Sequence, residues 1–126
     1  MARKKSSHLT DAELRLMEVL WEKGSASVSD VVENVESEVP LAYSTVLTTL
    51  RILENKGYVK HSKEGRAFIY EPLVARERAQ EKAITQLLRR FFENSPELLV
   101  LSLLDNRKLS PTELKRLRKR IEEKSK

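Results

Sequence analysis

LAYSTVLTTLRILENKGYVKHSKEGRAFIYEPLV, residues 41–74, is the stretch on which the reading of this chain turns. Pro40 precedes a run with helical spacing that continues to Gly57. An alternating segment follows from Tyr58 to Ser62. After it come Lys63-Glu64-Gly65-Arg66 and a second short run, Ala67 to Glu71, closed by Pro72. Two short runs joined by a glycine-bearing loop predict a β-hairpin. On a helical wheel Thr48, Arg51 and Asn55 lie within about 40° of Ser44, with Thr45, Thr49 and Ile52 alongside. Val46, Leu50 and Leu53 face the other way. One face is core, and the other is a stripe of small hydroxyls with one arginine.

A polar stripe on an amphipathic helix is most often a solvated face, but such faces are rich in Glu and Lys. This one carries Ser, Thr and Arg, with Glu54 off to the side. A helix entering the major groove needs that chemistry: small residues for close approach, hydroxyls for phosphates or base edges, and an Arg that can bond bidentately to guanine. Lys60, Lys63 and Arg66 of the hairpin would hold the phosphate backbone.

Upstream, Thr10-x-x-Glu13 is a capping box opening a helix with Leu14, Met17, Leu20 and Trp21 on one side. Leu9 and Leu14 occupy staple positions, Gly24 ends the helix, and Trp21 is expected in the core against Leu50 or Leu53. A short helix should start near Ser27, with Val28, Val31, Val32 and Val35 on one face. Three helices and then a hairpin is the winged helix-turn-helix order.

Downstream the chain reads as three more helices. Residues 75–94 place Ile84, Leu87, Leu88, Phe91 and Phe92 at helical spacing. Ser95-Pro96 opens a segment to Asp105 that is apolar almost all round, and Ser110-Pro111-Thr112-Glu113 caps a last helix bearing Leu114, Leu117 and Ile121. About 50 residues are too few to bury that apolar set alone. A second copy of the same helices would cover it, giving a two-fold dimer. Leu88, Phe91, Leu98, Leu101, Leu104, Leu117 and Ile121 are the candidate interface residues; the alternative is that these helices fold back on the winged domain. The expected architecture is therefore mainly α: a basic arm over residues 1–8, a winged helix over 9–73, and a helical dimerisation region over 74–126.

Composition agrees. The net charge is +5. Arg3, Lys4 and Lys5 open the chain, eight acids stand against Arg15 and Lys23 between residues 10 and 40, and bases dominate after residue 41. An acidic block beside basic ones suggests a polarised domain with one binding face. There is no apolar run long enough for a membrane span and no secretory signal. With no cysteine there is no disulfide and no thiolate metal site, which points to a cytosolic protein with no metal and no cofactor. An enzyme finds no support: His8 and His61 have no triad or ligand partner nearby in sequence, and Glu13 and Glu113 are explained by capping. A rival reading keeps the winged helix but makes it a protein-interaction module. Its basic face would bind an acidic protein and DNA only weakly, without sequence preference.

LTDAELRLMEVLW, SVSDVV, STVLTTLRILENKGYV and EGRAFIYEPLV together resemble the penicillinase-repressor family of bacterial winged-helix repressors. The pattern Thr45-x-x-Thr48-x-Leu50-x-x-Leu53-x-x-Lys56-Gly57 carries most of the likeness, and LLVLSLLDNRKLSPTELKRL extends it to the C-terminal helices. The resemblance implies a homodimer that binds palindromic operators of double-stranded DNA with TACA/TGTA-like half-sites and blocks transcription. Family contacts map onto Thr45 and Thr48, their neighbours Ser44 and Arg51, and the wing near Arg66. Tyr43, Lys56 and Lys63 complete the candidate set, Tyr43 with the alternative of lying against the preceding turn. Copper-responsive members of the family carry a C-terminal cysteine site, which this chain lacks. Antibiotic-resistance members are inactivated by cleavage at an Asn–Phe bond. The matching bond here is Ser102-Leu103, so a sensor protease selecting Asn–Phe would not read it in the same way.

Overall fold

Local hydrogen bonding sets the starts of several helices. In the computed structural model, which describes residues 8–125, α1 spans Asp11–Lys23 behind the predicted capping box. The Glu13 N–H donates to Thr10 Oγ1 and the Thr10 N–H donates to Glu13 Oε1, at 3.1 and 2.9 Å. Ser27 and Asp30 form the same reciprocal pair at the start of α2, Val28–Asn34. The third helix, α3, is Tyr43–Asn55, so Leu41 and Ala42 belong to the approach.

The end of α3 directs the chain into the hairpin. Gly57 adopts φ +86°. Its N–H donates to the Glu54 carbonyl, and the Tyr58 N–H donates to the Leu53 carbonyl, both at 3.0 Å. This is a Schellman closure, which needs the left-handed conformation that glycine reaches without strain. The strands β2 (Val59–Glu64) and β3 (Ala67–Pro72) pair antiparallel over their full lengths. Their turn is tighter than the sequence suggested: only Gly65 and Arg66 connect them. Gly65 at φ +61° followed by a residue of negative φ is the type II′ combination, whose twist matches the flanking strands. A two-residue strand not anticipated from sequence, β1 (Ala26–Ser27), pairs with β3, giving the order β1-β3-β2. Two residues carry too little alternation to read as a strand, and only the neighbouring β3 creates it.

The core of this first unit is built from Leu16, Met17 and Leu20 of α1, Val28 and Val31 of α2, Val46, Leu50 and Leu53 of α3, and Tyr58, Val59 and Tyr70 of the hairpin. Helical and alternating periodicities converge on one apolar interior, as the pattern required. Trp21 is half-buried against this core rather than within it. Its Nε1–H donates to the Val74 carbonyl at 2.9 Å, and the Arg76 guanidinium lies 5.3 Å from its ring centre.

The helix α4 spans Arg76–Phe91, and Ala79 on its first turns is buried in the same core. The compact units divide inside this helix, between Ala83 and Ile84. It stops short of Asn94 because Glu93 and Asn94 take positive φ, 50° and 61°. The second unit continues with α5 (Pro96–Asp105), whose Leu98 N–H is capped by Ser95 Oγ, and α6 (Pro111–Lys124), opened by the Ser110–Glu113 box. None of residues 84–125 is buried. Phe91 is 66% exposed and Ile121 61%, and Leu98, Leu101 and Leu117 are also exposed, while Leu88 and Leu104 are half-buried. Among the described residues no helix is long and apolar enough to cross a membrane. The basic arm, with Arg3, Lys4 and Lys5, lies outside the described residues apart from His8.

Candidate nucleic-acid interface

The core anchors Val46, Leu50 and Leu53 force the opposite side of α3 outward. Tyr43, Ser44, Thr45, Thr48 and Arg51 are all exposed there. Among the described residues, no hydrogen bond or ion pair engages the side chains of Ser44, Thr48 or Arg51. Thr49 is turned back, its hydroxyl donating to the Thr45 carbonyl at 2.8 Å. Ala42 gives α3 no side-chain cap, so no capping side chain occupies the N–H groups of its first turn. Such groups suit a phosphate. Tyr43 is half-exposed at the same end.

The hairpin places its bases differently from one another. Arg66 sits in the tight turn at the tip and is exposed. Lys63 Nζ lies 5.9 Å from the centre of its cross-strand neighbour, the Phe68 ring. Lys60 is already paired across the strands, 3.2 Å from Glu71.

Lys56 departs from the sequence expectation. Its ammonium lies 2.7 Å from Glu13 Oε1 and donates to the His8 carbonyl at 3.0 Å. Glu13 is only 4% exposed, so its charge needs a partner and Lys56 supplies it. The lysine therefore ties α3 to the start of α1, with its ammonium engaged by these two partners. Sequence spacing could not disclose this, because the two residues are 43 apart.

Sequence reasoning also passed over His61. Its Nδ1 is 2.8 Å from both carboxylate oxygens of Glu54 on α3. Its ring stands edge-on to Phe68 at 5.6 Å and tilted to Tyr70 at 5.5 Å. Together with Arg51 and Leu47 these side chains line a cleft of about 290 Å³ between α3 and the hairpin. Tyr70, itself buried, is among the lining residues. Burial raises the phenol pKa, and the negative Glu54 adds to the rise while Arg51 opposes it. Both charges therefore act on the cleft.

In the second unit the Ser102-Leu103 bond lies inside α5. The Ser102 carbonyl accepts from the Asn106 backbone and side-chain N–H groups, and the Leu103 carbonyl accepts from Lys108 and Leu109. A protease binds an extended strand, so cleavage there requires this helix to open first.

Comparison with known proteins agrees with the geometry. The penicillinase repressor family model matches residues 9–123. The chain is 32% identical over 120 residues to the penicillinase repressor of Bacillus licheniformis, covering 95% of this chain and 94% of that protein. It is 25% identical over 114 residues to the methicillin resistance regulatory protein MecI of Staphylococcus aureus (strain N315), covering 90% and 93%. The solution structure of the DNA-binding domain of the repressor BlaI aligns with a TM-score of 0.50 at 34% identity, over 59% of this chain and 90% of that one. An uncapped helix with an exposed hydroxyl and arginine face, a basic wing and this likeness lead to one assignment: the chain belongs to the penicillinase-repressor family, whose members are DNA-binding transcriptional repressors and not enzymes.

Proposed function

We propose that this protein represses transcription in the cytoplasm as a homodimer on palindromic operators. The N-terminal half of α3 enters the major groove. Ser44, Thr45 and Thr48 approach base edges and phosphates, and Arg51 reads a base. Lys63 and Arg66 hold the backbone alongside, and Tyr43 packs at the groove edge. The observation that carries this reading is the Arg51 guanidinium, exposed among small hydroxyls with no hydrogen bond or ion pair among the described residues. Lys56, though in the family pattern, serves the fold.

The second unit supports the dimer. A set of leucines and phenylalanines with no buried member needs a cover, and a second copy of α4 to α6 matches it in size and chemistry. A two-fold dimer presents two reading helices, which is why a dyad in DNA is the expected target. Release requires a signal that undoes the dimer. Cutting Ser102-Leu103 would do so by detaching the rest of the interface, by a sensor protease that accepts this bond once α5 opens.

Family membership favours DNA over an acidic protein as the partner of the basic face. Fluorescence anisotropy on DNA from upstream of the protein's own gene, against a scrambled duplex at two salt concentrations, tests the proposal. Preference for the native duplex, saturating at two protomers per site, is the expected result. Equal, weak and salt-sensitive binding to both would restore the protein-interaction reading.

A further inference from the structure

We infer that Glu54 and His61 are positioning residues that latch the wing to the reading helix and so set how much the wing contributes to operator binding. The need for a latch follows from the sheet. β2 is an edge strand, and beyond Val59 none of its residues is buried. Its ladder hydrogen bonds run only to β3, and the core holds the hairpin at Tyr58, Val59 and Tyr70, so the outer part of β2 toward the tip takes no support from the core. A side-chain contact joins α3 to the hairpin: His61 Nδ1 lies 2.8 Å from both carboxylate oxygens of Glu54.

The contact is built on rigid neighbours. Glu54 sits on the last turn of α3, immediately after the core residue Leu53 and one turn beyond Arg51. His61 faces its cross-strand partner Tyr70, which is buried, and its ring edge meets Phe68, over which Lys63 lies. Locating the imidazole therefore locates the strand that leads to Lys63 and the tip at Arg66. The pair does a second thing. Glu54 would otherwise turn an unpaired carboxylate toward the side that meets phosphates, and His61 covers both of its oxygens. Because both side chains are a third or more exposed, the pair contributes little to folding, and its effect should appear in binding rather than in stability.

This inference rests on the proposed contact of Arg66 with DNA, and the test separates the two. Operator affinity is measured for the full-length protein, for Arg66→Ala, for His61→Ala, and for the double variant, with Thr48→Ala replacing Arg66→Ala in a parallel set. Absolute affinities are not the readout, since a change near Glu54 also alters local charge. Coupling is. Expected is a loss from Arg66→Ala that shrinks by at least about twofold in the His61→Ala background. The loss from Thr48→Ala should be the same in both backgrounds. His61→Gln, which keeps a donor for Glu54, should restore the coupling, and Glu54→Gln, which keeps the acceptor, should preserve it. Equal losses from Arg66→Ala in both backgrounds overturn the latch while leaving the wing contact standing. No loss from Arg66→Ala in the otherwise native protein overturns the wing contact, and the latch with it. Circular dichroism melting of each variant confirms that folded proteins are compared.

Discussion

Lys56 Nζ and Glu13 Oε1 lie 2.7 Å apart, with side chains only 14% and 5% exposed. The same carboxylate oxygen accepts the Thr10 N–H. One atom thus closes the capping box of α1 and holds the end of α3. This charge pair ties the C-terminal end of α3 to the start of α1.

Replacing Lys56 with Met leaves that buried carboxylate without its counter-ion. The expected cost is about 3 kcal/mol of stability, seen as a lower midpoint in urea denaturation. The salt dependence of DNA binding should keep its slope, because no phosphate contact is removed. A lower slope with unchanged stability would return Lys56 to the interface.

Arg51→Ala tests base reading. Operator affinity should fall by about 1–3 kcal/mol, and preference at one base position should relax. Competition with operators changed one base pair at a time locates that position. Affinity and preference both unchanged would remove Arg51 from the readout.

Lys63→Ala and Arg66→Ala test the wing. Each should weaken binding to operator and scrambled DNA alike and lower the salt slope by roughly one. Titrations at several salt concentrations give that slope, and a slope equal to that of the native protein would detach the wing from the phosphates.

Leu101→Asp places a charge within the unburied apolar set of α5. Sedimentation should show monomers, because a charge buried between two copies has no partner. A dimer that persists would exclude Leu101 from the interface and favour helices that fold back within one chain.

Alkaline stability follows from two tyrosines. Burial raises the pKa of Tyr58, with the negative Glu13 adding to it, and burial raises that of Tyr70, with Glu54 adding. A phenol whose folded pKa lies above its unfolded value holds its proton more tightly when folded. Its stabilising effect is whole below the unfolded pKa, about 10, and is lost as pH rises through the folded value. Thermal midpoints should therefore fall above about pH 10, and less steeply in Tyr58→Phe and Tyr70→Phe. Parallel profiles for the native and Phe proteins would assign the loss to other groups.

Much of the fold was legible because its determinants are local. Capping boxes at Thr10 and Ser110 act over three residues, Gly24 and Gly57 end helices within one turn, and the face of α3 follows from periodicity alone. The hydroxyl and arginine stripe could be read in the same way, since a helix with Val46, Leu50 and Leu53 inside must turn Ser44, Thr48 and Arg51 out. Tertiary structure alone decided what depends on residues far apart in the chain. Pairing with β3 made Ala26–Ser27 a strand, a carboxylate 43 residues away engaged the Lys56 ammonium, and the hairpin's return beside α3 brought His61 onto Glu54. Charge and hydrogen-bond partners are chosen by distance in space, and one-dimensional spacing reports that distance only within a helix turn or across a tight hairpin.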